Sequence, residues 1–109
     1  GLWPYRKSMA RALSYDGLLP YYRDGDFTPE VVKEIARGVA SRRADAAPYD
    51  IVIEGEDTPG DDPARAADIV RPWTDAGGTW WIESRWTANP GPEHMELVTE
   101  RIRQGPPRI

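Results

Sequence analysis

The stretch Tyr49-Asp50-Ile51-Val52-Ile53-Glu54-Gly55-Glu56 decides the fold of this 109-residue chain. Its centre, Ile51-Val52-Ile53, is an unbroken β-branched run, which is typical of a strand buried on both faces of a parallel sheet. A loop, Thr58-Pro59-Gly60-Asp61-Asp62-Pro63, then leads into a helical pattern. Ligands of parallel α/β folds sit at the carboxyl ends of the strands. Glu54 and Gly55 are therefore predicted to lie at a functional edge.

Helical and strand patterns alternate on both sides of this stretch. The predicted elements are a helix over 5–13, a strand over 18–22, a helix over 28–43, the strand at 51–53, a helix from Asp61 or Asp62 to Gly77-Gly78, a strand over 79–84 and a helix over 93–103. Such alternation indicates βαβ units with parallel strands. The sequence therefore predicts an α/β fold with three parallel strands alternating with four helices. Three parallel strands leave two open edges, so we expect the sheet to continue beyond this chain.

Individual residues predict how three of the helices begin, bend and pack. Thr28 and Pro29 give the second helix an N-cap and a first residue, and Val31, Val32, Ile35 and Val39 form its apolar stripe. Pro72 removes one hydrogen bond from the third helix and is expected to kink its last turn. In the last helix, the residues predicted to face inward are Leu97, Val98 and Ile102.

Composition narrows the function classes. The net charge is −4 and the basic residues are scattered among acids, which argues against a nucleic-acid partner. The sequence has no apolar run near the ~20 residues that a membrane span needs, and it shows no signal peptide. The absence of cysteine excludes disulfides and thiolate catalysis and favours a cytoplasmic location. Because the chain begins at Gly1 without a methionine, we expect it to be a piece of a longer protein.

Two carboxylates are candidates for chemistry. Glu54 and Glu83 end two strands of the same polarity, so they are predicted to converge at one rim, as an acid and a base or as a clamp on a hydroxyl or an amine. Gly55 would let a ligand approach Glu54 closely. The alternative is a solvated or salt-bridged pair of carboxylates, with Arg23 or Arg85 nearby.

Other residues carry weaker signals. Trp80 and Trp81 are predicted to point to opposite faces of their strand, one toward a helix and one toward the interior, where an indole either stacks on a ligand ring or packs in the core. His94, the one histidine, is interpreted as a surface residue, and no metal site is predicted. GxGxxG, P-loop, nucleophile-elbow and paired-histidine motifs do not occur.

Several short sequence motifs follow one another along nearly the whole chain. They are Gly1-Leu2-Trp3-Pro4, Tyr15-Asp16-Gly17-Leu18-Leu19-Pro20, Thr28-Pro29-Glu30, Ile51-Val52-Ile53-Glu54-Gly55, Thr58-Pro59-Gly60-Asp61-Asp62-Pro63, Ala76-Gly77-Gly78-Thr79-Trp80-Trp81-Ile82-Glu83 and the tail from Arg101 to Arg108. Together they resemble the C-terminal part of luciferase-like flavin-dependent oxidoreductases. The resemblance implies a partial β/α (TIM-type) barrel holding the last three of eight strands, because a full barrel runs to about 250 residues.

The resemblance also implies a reaction and its ligands. It implies flavin-dependent oxidation or monooxygenation of a small organic substrate, with FMN or a deazaflavin as cofactor. The residues that it assigns to the cofactor are Gly1, Asp16, Gly17, Glu54 and Gly55, and those that it assigns to the substrate pocket are Trp80 and Glu83. Backbone amides near Gly1 and Asp16-Gly17 would approach the cofactor phosphate. The alternative for Gly17 is an ordinary turn after the first helix.

Two rival functions remain open. The first is a non-catalytic assembly module, which either forms a homo-oligomer or complements a separate N-terminal barrel half through its open strand edges. The second is a small hydrolase in which Glu54 and Glu83 act without a cofactor.

Overall fold

The computed structural model describes residues 1–84 and 91–109. The fold is mixed α/β, with parallel strands and, within the described residues, four helices. The elements are β1 (Leu2–Trp3), α1 (Arg6–Ala12), β2 (Gly17–Leu18), β3 (Tyr21–Tyr22), α2 (Pro29–Arg42), β4 (Asp50–Gly55), α3 (Pro63–Asp75), β5 (Trp80–Glu83) and α4 (Pro92–Gln104). The predicted α/β class is confirmed. The described strands form open sheets and not a closed barrel.

The strands are more numerous and shorter than the three predicted. The predicted strand over 18–22 is divided into β2 and β3, because Pro20 has no N–H to donate to a ladder. β1 was not predicted, since two residues are too few to show a period. β1 pairs with β3, while β2 pairs with β4 and β4 with β5, all in parallel.

The segment that holds β2 and β3 has a neighbour on each side. The Gly1 nitrogen donates to the Leu19 carbonyl oxygen (2.8 Å) and the Tyr21 nitrogen to the Gly1 carbonyl oxygen (2.7 Å). On the other side, the Asp16 carbonyl oxygen accepts from the Asp50 nitrogen (2.9 Å). Alternate residues of an extended chain direct their backbone groups to opposite edges, so β1 and β4 flank the segment. The strands therefore follow one another across the molecule in chain order.

Caps and prolines set the helix starts much as the sequence predicts. The Thr28 hydroxyl accepts from the Val31 nitrogen (3.5 Å), and the Asp62 carboxylate accepts from the Arg65 nitrogen (3.1 Å). A proline follows each cap as the first helical residue. Both predicted N-caps are confirmed, and they satisfy N–H groups that the first turn of a helix leaves unpaired.

Two other prolines act differently. Pro4 does not open α1, because Tyr5 keeps an extended conformation (ψ 117°) and the helix begins at Arg6. Pro72 lies inside α3, which nevertheless runs on to Asp75. The hydrogen bond that its missing N–H costs lies close to the end of the helix, where few bonds follow it.

The core lies between the strands and the helices. Ile51 and Ile53 of β4 are buried against Met9 of α1 and against Val32 and Ile35 of α2. Trp81 of β5 packs against the same cluster. Since side chains of a strand alternate between faces, the other residues of β4 and β5 point away from this core.

The second face of the sheet carries apolar side chains that are largely exposed. We define the open face as Leu19, Tyr21, Val52, Trp80 and Ile82, which lie opposite the buried side chains of the same strands. Val52 is half-buried, and the other four are 44–64% exposed. Parallel sheets are ordinarily covered on both faces, so this surface is unusual.

The last helix departs from its predicted packing. Leu97 and Ile102, which were predicted to face inward, are 61% and 74% exposed. The half-buried residues of α4 are His94, Val98 and Arg101, which recur at helical spacing. The prediction failed because it followed the most apolar stripe, whereas the helix docks through an arginine. The sequence Asn89-Pro90-Gly91-Pro92 predicts a turn before this helix, and its first two residues lie outside the described residues.

Candidate functional site

A buried polar cluster lies at the carboxyl end of β5. Arg101 reaches from α4 to Glu83, with its Nε and Nη2 atoms donating to the two carboxylate oxygens at 3.0 and 2.7 Å. Its Nη2 also donates to the Thr58 hydroxyl (3.0 Å), which in turn donates to Glu83. Its Nη1 donates to the Gly105 carbonyl oxygen. The cluster thus joins β5, the loop after β4, α4 and the C-terminal tail.

Electrostatics make Glu83 a fixed carboxylate. Burial by itself raises the pKa of Glu83, but the hydrogen bonds from Arg101 and Thr58 outweigh it and the pKa is lowered. Glu83 is therefore ionised at neutral pH, with both oxygens occupied. An ionised carboxylate with both oxygens hydrogen-bonded can hold β5 and α4 together, but it has no proton to donate.

A cavity opens beside this cluster, between α4 and β5. Its volume is about 470 Å³. It is lined by Trp81, Glu83, His94, Val98, Arg101, Ile102, Gly105, Pro106 and Pro107. Thus Glu83, which was assigned to a substrate pocket, does line a cavity, and its indole neighbour there is Trp81. A second cavity of about 250 Å³ lies between α3 and β5, and both Trp80 and Trp81 border it.

Glu54 and Glu83 do not form a pair. Glu54 is in register with Ile82, and Glu83 with Gly55, so the two carboxylates lie on opposite faces at the same end of the sheet. Glu54 accepts from the Ser84 hydroxyl (2.9 Å), while Glu83 is bound by Arg101. The predicted convergence at one rim is therefore not found. Arg85, one of the expected partners, lies outside the described residues.

The three glycines assigned to the cofactor have close neighbours within the fold itself. A Cβ on Gly55 would collide with the Trp81 ring, and a Cβ on Gly17 would lie 2.7 Å from the Asp50 carbonyl oxygen. Gly1 is bonded to Leu19 through its nitrogen. Glycine does allow a close approach at these positions, but the groups that come close belong to neighbouring parts of this chain.

The assigned residues are also spread along the sheet. Asp16 and Gly17 lie at the amino end, where Gly17 is paired with Asp50, and Glu54 and Gly55 lie at the carboxyl end of β4. The six residues of β4 separate the two groups by about 16 Å. Trp80 projects from the open face and is 60% exposed.

Thr58 and Arg101 are the site residues that sequence reasoning missed. Thr58 is 3% exposed, although it stands in the loop that follows β4. Arg101 stands seven residues after His94 and three after Val98, which places all three on one face of α4. An arginine within an otherwise inward-facing row was the available signal, because a buried guanidinium requires an acidic partner.

Comparison with known proteins adds no relative: no family model, no curated protein and no solved structure matches the chain. Among residues 1–84 and 91–109, no group of three or more potential metal-ligating side chains comes together. In the same residues, no helix is both long and apolar enough to cross a membrane.

Proposed function

We propose that this chain is one arc of a luciferase-like β/α barrel and contributes to a flavin-dependent oxidoreductase. The observation that carries the proposal is the open face. Its apolar side chains stand on parallel strands that follow chain order, opposite the side on which α1 and α2 pack.

A barrel accounts for that arrangement. In a β/α barrel the helices form the outer ring, and the inward side chains of all the strands fill the centre. On this assignment the core side of the sheet, with Ile51 and Ile53, is the outer side, and the open face is the interior. The remaining strands of the barrel would cover Trp80 and Ile82, which otherwise leave about half of each side chain in water.

The residues that fit a flavin are those of the open face. Trp80 offers an exposed indole on which an isoalloxazine ring can stack, and the Glu54 carboxylate lies on the same face two register positions further on, about 7 Å along the sheet. Neighbouring residues engage the Gly1 nitrogen and the Asp16 carbonyl oxygen, and Asp50 lies against Gly17, so our assignment does not rely on a phosphate cradle at these residues. The remainder of the barrel would therefore hold the phosphate. FMN and deazaflavin both satisfy this assignment, and either cofactor would supply the redox chemistry.

A titration tests the proposal. FMN, and separately a deazaflavin, is added to the 109-residue chain while flavin fluorescence is followed. We expect saturable quenching that becomes about tenfold weaker in Trp80→Ala, since stacking of a ring on an aromatic side chain contributes about 1–3 kcal/mol. The matched control is Tyr15→Ala, because Tyr15 is 61% exposed and lies outside the open face. Equal affinity for a flavin in the two variants would overturn the assignment of Trp80.

The open face also favours a second candidate, a non-catalytic assembly module. The outer edge of β5 pairs with no other described strand, and Trp80 and Ile82 stand next to it. An unpaired edge beside an apolar face is a ready site for pairing with another chain. Assembly without any flavin affinity would favour this candidate over an oxidoreductase.

A further inference from the structure

The cavity between α4 and β5 has the size and lining of a small-molecule site. Ligand sites commonly span about 300–1,000 Å³, and this cavity measures about 470 Å³. One wall is the Trp81 ring, and two others are prolines, Pro106 and Pro107. Polar groups are confined to Glu83, Arg101 and His94. The cavity lies on the helix side of the sheet, so it is separate from the open face.

We propose that this cavity binds a small, neutral aromatic molecule that carries a hydrogen-bond-accepting oxygen. The proposal does not depend on the flavin assignment, because the two surfaces lie on opposite sides of the sheet.

The lining explains the aromatic preference. The Trp81 ring is held in place, since it packs over Gly55 and its centroid lies 6.1 Å from that of Trp73. A fixed indole and flat proline rings present planar surfaces, and a planar ligand buries much area against them at little entropic cost. Val98 and Ile102 complete an apolar wall on α4.

The ion pair explains the preference for a neutral ligand. Glu83 and Arg101 balance each other, and their side chains are 17% and 13% exposed. A charged ligand would lose its hydration and would find its counter-charge already engaged. A neutral ligand avoids that cost.

One donor explains the acceptor. Arg101 has five N–H groups, and four hydrogen bonds from it are found in the described part of the chain, which leaves one N–H of Nη1. A carbonyl or hydroxyl oxygen on the ligand would give this N–H group a partner.

The test uses three nearly isosteric probes that differ in charge: benzamide, benzoate and benzamidinium. Binding to the whole chain is followed by ¹H–¹⁵N correlation spectra, and the indole signal of Trp81 is assigned with Trp81→Phe. We expect benzamide to saturate with a Kd on the order of 1 mM, a typical value for so small a ligand, and to move the Trp81 indole signal. Benzoate and benzamidinium are expected to bind at least about tenfold more weakly.

Two tryptophan substitutions locate the site. Val98→Trp fills the cavity and is expected to weaken benzamide binding about tenfold or more, whereas Leu97→Trp adds the same bulk on an exposed part of α4 and is expected to change the Kd less than about twofold. Circular dichroism confirms that each variant is folded, and the Trp81 signal of the unsubstituted chain gives a readout that needs no variant. Absence of a saturable Trp81 shift with benzamide, equal effects of the two substitutions, or stronger binding of either ion would each overturn the proposal.

Discussion

Glu83 and Arg101 lie where β5, the loop after β4, α4 and the C-terminal tail meet. The guanidinium of Arg101 donates to both carboxylate oxygens of Glu83. The buried Thr58, in the loop after β4, accepts a further hydrogen bond from Arg101. Such two-point contacts fix direction as well as distance. The pair therefore determines how α4 is set against β5.

Removing one partner should be costly. Arg101→Met keeps most of the apolar stem but leaves the Glu83 charge without its counter-ion, so we expect a loss of about 2–3 kcal/mol in the free energy of unfolding, below the full cost of a completely buried pair. The control is Arg103→Met on the same helix. Arg103 lies 3.9 Å from Glu100 and both are largely exposed, so the expected change is under about 0.5 kcal/mol. Urea denaturation measures both, and similar losses would contradict the assigned role of Arg101.

The same cluster predicts a pH dependence. The folded-state pKa of Glu83 lies below its ordinary value of 4.5, so this carboxylate contributes stability above about pH 4.5, and the contribution is lost as the pH falls through the folded-state pKa. Glu83→Gln removes the titration. We expect the stability difference between the wild-type chain and Glu83→Gln to be constant near neutral pH and to shrink toward pH 3. A difference that does not change with pH would show that ionisation of Glu83 is not what stabilises the cluster.

At the level of elements, α4 is the least anchored helix of the described chain. It buries none of its residues fully, whereas α2, of nearly the same length, buries Val32, Ile35 and Val39. Its attachment depends on the Arg101 cluster and on two further half-buried side chains, those of His94 and Val98. Elements with little buried apolar area open locally at a lower free energy than the rest of a protein.

Hydrogen exchange should reveal this difference. We expect the amides of α4 to exchange at least about tenfold faster than those of α2 under native conditions, because α4 opens without unfolding the core. The Arg101→Met substitution should accelerate exchange further in α4 and leave that in α2 nearly unchanged. Equal protection of α2 and α4 would mean that the two helices unfold together.

The sequence predicted the elements better than their contacts. The β-branched run at 51–53 and the capped starts of α2 and α3 are local signals, and all of them were correct. The predictions failed where residues distant in the sequence determine the contacts. Pro20 divides the predicted strand, whose backbone partners include Gly1 and Asp50. Arg101, and not Leu97, faces the sheet from α4, because Arg101 forms an ion pair with Glu83 of β5. For the candidate site, Glu83 was found from its position after a strand, but its partners come from segments 18 and 25 residues away.

At the scale of the whole molecule, the open face is the feature that most needs a partner. Tyr21 of β3 and Trp80 and Ile82 of β5 expose apolar surface, whereas Tyr22 and Trp81 on the opposite face of these strands pack against the core. Contiguous apolar surface of this kind marks an interaction site.

A single charge should interfere with covering that face. If copies of the chain associate through it, the mass measured by light scattering will rise with concentration, and Ile82→Lys will hold the chain monomeric. The matched control, Ile102→Lys, places the same substitution on α4, where the isoleucine is 74% exposed, and should leave association unchanged. Association that survives Ile82→Lys would exclude the open face as the contact between copies.

The succession of strands has a consequence for how the chain is made. β3 pairs with β1, β4 with β2 and β5 with β4, so the partner of each later strand has already left the ribosome when that strand emerges. Each pairing closes over one crossover that contains a single helix, α1, α2 or α3, so the loop-closure cost arises one crossover at a time. The sheet can therefore lengthen strand by strand during synthesis, and β5 is the edge at which it stops growing within the described residues.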